Sequence, residues 1–193
     1  MALPKIDVPI YEIELPVSKK KIKYRPFLVK EQRNLLMAME SSEASTIQQS
    51  VRDILYNCTL TEGIDIEKLP IIDVEYYFIN LRAKSVGEVI ESRYRCNNEV
   101  DEVECGNIME KEINLLEIKV QSNDEVSPEI QLDSKLSIKL KYPEFSVIKD
   151  SLRYDNINEV TFNMIANSIE YIYDGEQFYY GHEAQPNEML EFV

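Results

Sequence analysis

Histidine is almost absent: His182 is the only one in 193 residues, and it sits beside Gly181 and Glu183 in a stretch that reads as loop. A lone, loop-borne imidazole cannot build a histidine-based metal site, and it offers no packed Ser-His-Asp or Cys-His arrangement. Glycine is scarce too. The five glycines are scattered at expected turns, and no GxGxxG or GxxxxGK[ST] run exists to cradle phosphate. Tryptophan is missing, and no run approaches the ~18 apolar residues of a membrane span. The N-terminus, Met1 to Asp7, has no apolar core of a signal peptide, so the protein is expected to stay where it is made. Three cysteines, Cys58, Cys96 and Cys105, are too few and too odd in number for a disulfide framework, which fits a reducing compartment. Together these absences point to a soluble, acidic binding or assembly protein, with no cofactor and no catalytic residues, that works through its surfaces and is not an enzyme.

What is present is charge and tyrosine. The net charge is −14, which disfavours binding to phosphate backbones. It is unevenly spread: residues 1–40 carry eight Lys/Arg and five Asp/Glu, whereas from Tyr154 onward there are eight acids and no Lys or Arg. The tail also gathers Tyr171, Tyr173, Phe178, Tyr179 and Tyr180. A mildly basic start and an acidic end make either a solvated face or a docking surface for a basic partner.

Periodicity gives an α+β fold of one domain, 1–193. Short antiparallel hairpins pack with about four helices. Alternation over 11–15 and 22–26, around a turn at 16–21, predicts a hairpin with a basic tip: Lys19, Lys20, Lys21, Lys23 and Arg25. A helix is expected over about 28–40 with Leu28, Leu35, Leu36 and Met39 inward. A clearer one spans 44–58, with Ile47, Val51, Ile54, Leu55 and Cys58 on one stripe. That stripe makes Cys58 a core residue. Asp73 reads as the N-cap of a third helix to about Ser85, with Val74, Tyr77, Phe78 and Leu81 inward and Gly87 at its end.

Residues 88–120 read as two strands and a polar turn, a hairpin arm projecting from the body. A loop over 121–128 leads to a strand pair at Ile130–Leu132 and Leu136–Leu140. A last long helix is expected from Glu159 to Tyr173, with Phe162, Ile165, Ile169 and Ile172 as its seam and Asp174-Gly175 as its stop. Asn187 is placed to cap a short final helix.

Three features invite chemistry. Cys96 and Cys105, nine residues apart at the ends of the arm's turn, resemble half of a zinc ribbon, which needs four ligands. They are weak metal candidates in a metal-stabilised structural adaptor, and otherwise cysteines facing each other across a hairpin. Glu99, Asp101, Glu102 and Glu104 crowd the same turn without EF-hand spacing; an unrecognised hydrolase would have to use them. The partner-binding candidates are Lys19, Lys20, Lys21, Lys23 and Arg25 at one end and Tyr171, Tyr173, Tyr179 and Tyr180 at the other. Charge reversal over Lys19–Lys23 is expected to weaken partner binding without lowering thermal stability.

Several segments in order carry a resemblance: Ala2-Leu3-Pro4-Lys5, the run Lys21 to Glu31, Leu81 to Glu88, Tyr94 to Asn98, Glu104 to Asn107, and Ile169 to Asp174. This chain resembles the T4-like bacteriophage baseplate hub and hub-assembly proteins. The resemblance implies a protein made in the host bacterial cytoplasm that builds the baseplate hub, as a minor component of the virion tail or as an assembly chaperone. Its partners would be other phage hub or tail proteins, with oligomeric assembly among them, and it implies no active-site residues.

Overall fold

A computed structural model describes residues 7–100, 103–121, 126–151, 156–184 and 186–192. The fold is mixed α+β, with helices packed among small antiparallel sheets.

The first strands are β1, Tyr11–Glu14, and β2, Lys21–Tyr24, paired antiparallel from Tyr11↔Tyr24 to Glu14↔Lys21. Their alternation sends Ile22 and Tyr24 into the core and leaves Glu12, Glu14, Lys21 and Lys23 outside. Three helices complete this half: α1, Val29–Ser41; α2, Ala44–Cys58; and α3, Ile71–Val86. Their core gathers Leu15, Ile22, Tyr24, Phe27, Ile54, Leu55, Cys58, Val74, Tyr77 and Leu81. The stripe expected on α2 is the one buried.

Two expectations change here. On α1, Leu36 and Met39 are 52% and 56% exposed, and the inward positions are Glu31, Leu35 and Ala38. The Glu31 carboxylate accepts from the Leu28 N–H at 2.7 Å and the Arg25 guanidinium at 3.1 Å, and this fixes which face of the helix turns inward. Asp73 is not an N-cap. The cap position is Pro70, three residues earlier, and Asp73 is fully buried in the first turn.

The arm is a ribbon of β3, Val89–Arg95, and β6, Ile108–Asn114, in register from Val89↔Asn114 to Arg95↔Ile108. A smaller pair, β4, Glu99–Val100, with β5, Val103–Glu104, forms its tip. Both faces of the ribbon stand largely in solvent, and it is anchored at its base by buried Leu115, whose N–H donates to the Glu88 carbonyl.

The second half is a four-stranded antiparallel sheet ordered β10-β9-β8-β7: β7, Glu129–Gln131; β8, Ser137–Leu140; β9, Ile169–Tyr173; and β10, Phe178–Tyr180. With it come α4, Ser146–Ser151; α5, Ile157–Ser168; and α6, Pro186–Phe192. The long helix expected over 159–173 therefore ends at Ser168, and its last five residues are a strand. Ile169-Glu170-Tyr171-Ile172-Tyr173 is β-branched and aromatic, and β8 and β10 supply partners on both sides. Asp174-Gly175 is the turn of the β9–β10 hairpin, not a helix stop. Ile169 and Ile172 join Ala166 and Met189 in a second core cluster, while Phe162 and Ile165 are 49% and 40% exposed.

Parts of the expected layout lie outside the described residues: segment 2–5, the acids Asp101 and Glu102, residues 122–125 of the loop, and the side chain of Asn187.

Candidate partner-binding surface

The basic hairpin is only partly basic at its surface. Lys21 and Lys23 stand opposite Glu14 and Glu12, each pair 4.0 Å apart across the strands, so their charges are locally compensated. Arg25 turns inward: its side chain is 17% exposed, donates to the Pro26 carbonyl and pairs with Glu31. Lys19 and Lys20, both exposed, are left at the tip without an ion-pair partner among the described residues. The tip is held by Asp73, whose carboxylate accepts from the Val17 and Ser18 N–H groups at 2.7 and 2.8 Å. Lys19 itself takes a left-handed φ of 57°. Of the five basic candidates, then, two are free to meet a partner.

The cysteines sit apart in role. Cys58 is buried, and burial pushes its thiol up to about 11, which keeps it protonated and inert. Cys96 and Cys105 are near the arm's tip but not directly opposite one another: Cys96 pairs with Asn107 and Gly106, and Cys105 with Asn98. Among the described residues no group of three or more His, Cys, Asp or Glu side chains is placed to hold a metal ion. The described acids Glu99 and Glu104 face each other across the tip, and Glu104 pairs with Arg95 at 3.2 Å.

The tyrosines are brought together. In β9–β10, Tyr171 is opposite Tyr180 and Tyr173 opposite Phe178, so four rings share one face of the sheet. Tyr173 stacks on Phe178 at 4.6 Å, and Tyr171 meets Phe178 edge-on at 5.1 Å. Tyr179 points to the other face, where its hydroxyl donates to Asp174. The Tyr171 hydroxyl donates to Glu129, and that hydrogen bond to a carboxylate pushes it up to about 12. Lys139 lies 5.6 Å from the Tyr171 ring centre and pairs with Glu170 at 3.1 Å. His182, 5.6 Å from Tyr180, is exposed at the rim.

Phe178 was not among the expected site residues, although its period-two spacing with Tyr180 was a usable signal once a strand was assumed. A second surface was also missed. Between α1 and α2 runs a cavity of about 570 Å³ lined by Met37, Ala38, Ser50 and Ile54, and the Ser50 Oγ is buried there without a hydrogen-bond partner among the described residues.

Residues 8–193 match the family model described as T4 bacteriophage base plate protein. The chain belongs to that family. No curated protein and no solved structure matches it. The match takes in the basic hairpin, the arm and the aromatic sheet of this base plate protein, and every resemblance-bearing segment except 2–5. Among its described residues no helix is long and apolar enough to cross a membrane.

Proposed function

We propose that this base plate protein is a hub component or hub-assembly chaperone that acts by binding other tail proteins, without catalysis and without binding nucleic acid. The observation that carries the reading is the bare aromatic face of the β7–β10 sheet. Phe178 and Tyr180 are 52% and 42% exposed there, next to half-buried Tyr171 and Tyr173, in a chain of a family named for a multi-protein assembly. Contiguous exposed aromatics of this kind suit protein recognition, because they bury much area at modest entropic cost. The non-catalytic part is supported by the solvent-exposed single histidine and the inert Cys58 thiol.

Quantitative mass spectrometry of purified virions, paired with hub assembly in cells lacking the protein, tests the proposal. A fixed copy number per virion identifies a hub component. Absence from virions together with failed hub formation identifies an assembly chaperone made and used in the host cytoplasm. Absence from virions with normal hub formation overturns both.

A further inference from the structure

The aromatic face has a charge pattern that selects an occupant. Glu176 lies in the turn before β10 and Glu183 in the turn after it, both exposed, while Glu129 and Glu170 stand against Tyr171 and Lys139. From Tyr154 onward the chain supplies no Lys or Arg of its own. The nearby cations are Lys139, and Lys135 beside Gly175. Lys139 is informative: the face already holds one ammonium between a ring and a carboxylate, over Tyr171 and against Glu170. The outer rings, Phe178 and Tyr180, lie roughly parallel at 6.4 Å and have acids at both ends, but no described cation stacks on them.

The strand that carries them is also an edge. The Asp174 N–H bonds to Gln177 and the Gly181 N–H to Glu170, so by the alternation of an antiparallel ladder the backbone groups of Phe178 and Tyr180 turn to the open side. The Tyr180 carbonyl is taken by the Glu183 and Ala184 N–H groups. Among the described residues that leaves the Phe178 N–H and carbonyl and the Tyr180 N–H for an added strand, whose alternate side chains would fall on the aromatic face.

We propose that β10 and its aromatic face dock an extended segment of another tail protein bearing alternate arginine or lysine side chains, with the cations laid on Phe178 and Tyr180 between Glu176 and Glu183. This rests on the reading that the chain works by surface recognition and names the chemistry of one partner. Virion mass spectrometry does not depend on the face, so a failed titration and a failed role in the base plate are separately visible.

The test is titration of the full chain with an octapeptide of alternating arginine and threonine, at physiological salt. Phe178→Ala with Tyr180→Ala is expected to weaken binding about tenfold or more. Glu91→Gln with Glu112→Gln, which removes two acids paired across the distant arm, is expected to change it less than about twofold. Equal losses in the two variants would mean diffuse attraction to an acidic protein and would overturn the proposal, as would binding indifferent to ring removal. Amide shift mapping on the unmodified chain guards against a misfolded ring variant: perturbations centred on 171–183 support the proposal, and perturbations centred elsewhere overturn it. A second copy is the rival occupant. If the free chain self-associates and Lys19→Glu with Lys20→Glu dissociates it, the face belongs to the chain's own hairpin and the proposal fails.

Discussion

Asp73 sets the position of the hairpin tip with one carboxylate. It has no solvent exposure, and each of its oxygens accepts one backbone N–H, from Val17 and from Ser18. Removing it strands two donors, so Asp73→Ala is expected to cost about 3 kcal/mol in urea unfolding, whereas Asp73→Asn, which keeps one acceptor, costs roughly half that. A loss below about 1 kcal/mol for the alanine variant would show the tip is held by something else. This role could not be read in the sequence, where Asp73 and its partners lie more than fifty positions apart and a local cap was the natural reading. Glu31 makes a second prediction at this scale. Burial raises its carboxyl, but the Leu28 N–H and the Arg25 guanidinium outweigh that and hold it below its ordinary 4.5. A folded-state value below the unfolded one stabilises above the unfolded value, and the stabilisation is lost as pH falls toward the folded one. Glu31→Gln is therefore expected to be less stable than the parent at neutral pH, and the gap should narrow on acidification to about pH 4. Urea midpoints measured across that range check it; a gap that is constant with pH contradicts it.

At the scale of elements, legibility depended on whether the deciding contact was local. The α2 stripe from Ile47 to Cys58 and the period-two pattern of β1 and β2 are complete within their own segments, and both elements formed as expected. Ile169 and Ile172 are three apart, which fits a helical seam. The same spacing suits β9 because the ladder with β8 shifts register between Lys139 and Leu140, so both isoleucines turn to the core. Only β8, some thirty residues away, decides between the two. The same distance hid half of the candidate surface, since the tyrosines were visible as a cluster but their common face required the strand. Gly181 tests the hairpin that results. A Cβ there would press well inside van der Waals contact of the Ile169 carbonyl oxygen, where backbone has to shift. Gly181→Ala is expected to cost about 2 kcal/mol and to speed hydrogen exchange in Ile169–Tyr173 more than in α2. Exchange unchanged in β9 would mean that the close approach is relieved without disturbing the strand.

Across the whole molecule the stretch Lys141–Phe145 is bonded to both apolar clusters, and α4, which follows it, packs on α5 and sends Ile148 against the first cluster. The Lys141 N–H donates to the Ser168 carbonyl at the end of α5, reaching the second cluster. The Ile71 N–H donates to the Pro143 carbonyl, and the Phe145 N–H to that of Leu69, reaching the first. The Phe145 side chain, 7% exposed, packs into the first cluster with Leu69, Tyr77 and Leu81. The two halves thus share a clasp to which the Phe145 ring and Ile148 bring apolar contact with the first cluster. Phe145→Ala is expected to cost about 3 kcal/mol. It should also loosen the clusters from each other, since the ring is the part of Lys141–Phe145 that is buried in the first one. In the parent, the slowest amides of α2 and α3 and those of β9 are expected to exchange through one common opening. In the variant, β9 should open at lower free energy than α3, and thermal unfolding should broaden or split. If both sets of amides lose protection equally, the clusters are coupled by more than the clasp, and the acidic, aromatic half would not be able to loosen on a partner while the half behind the basic hairpin stays closed.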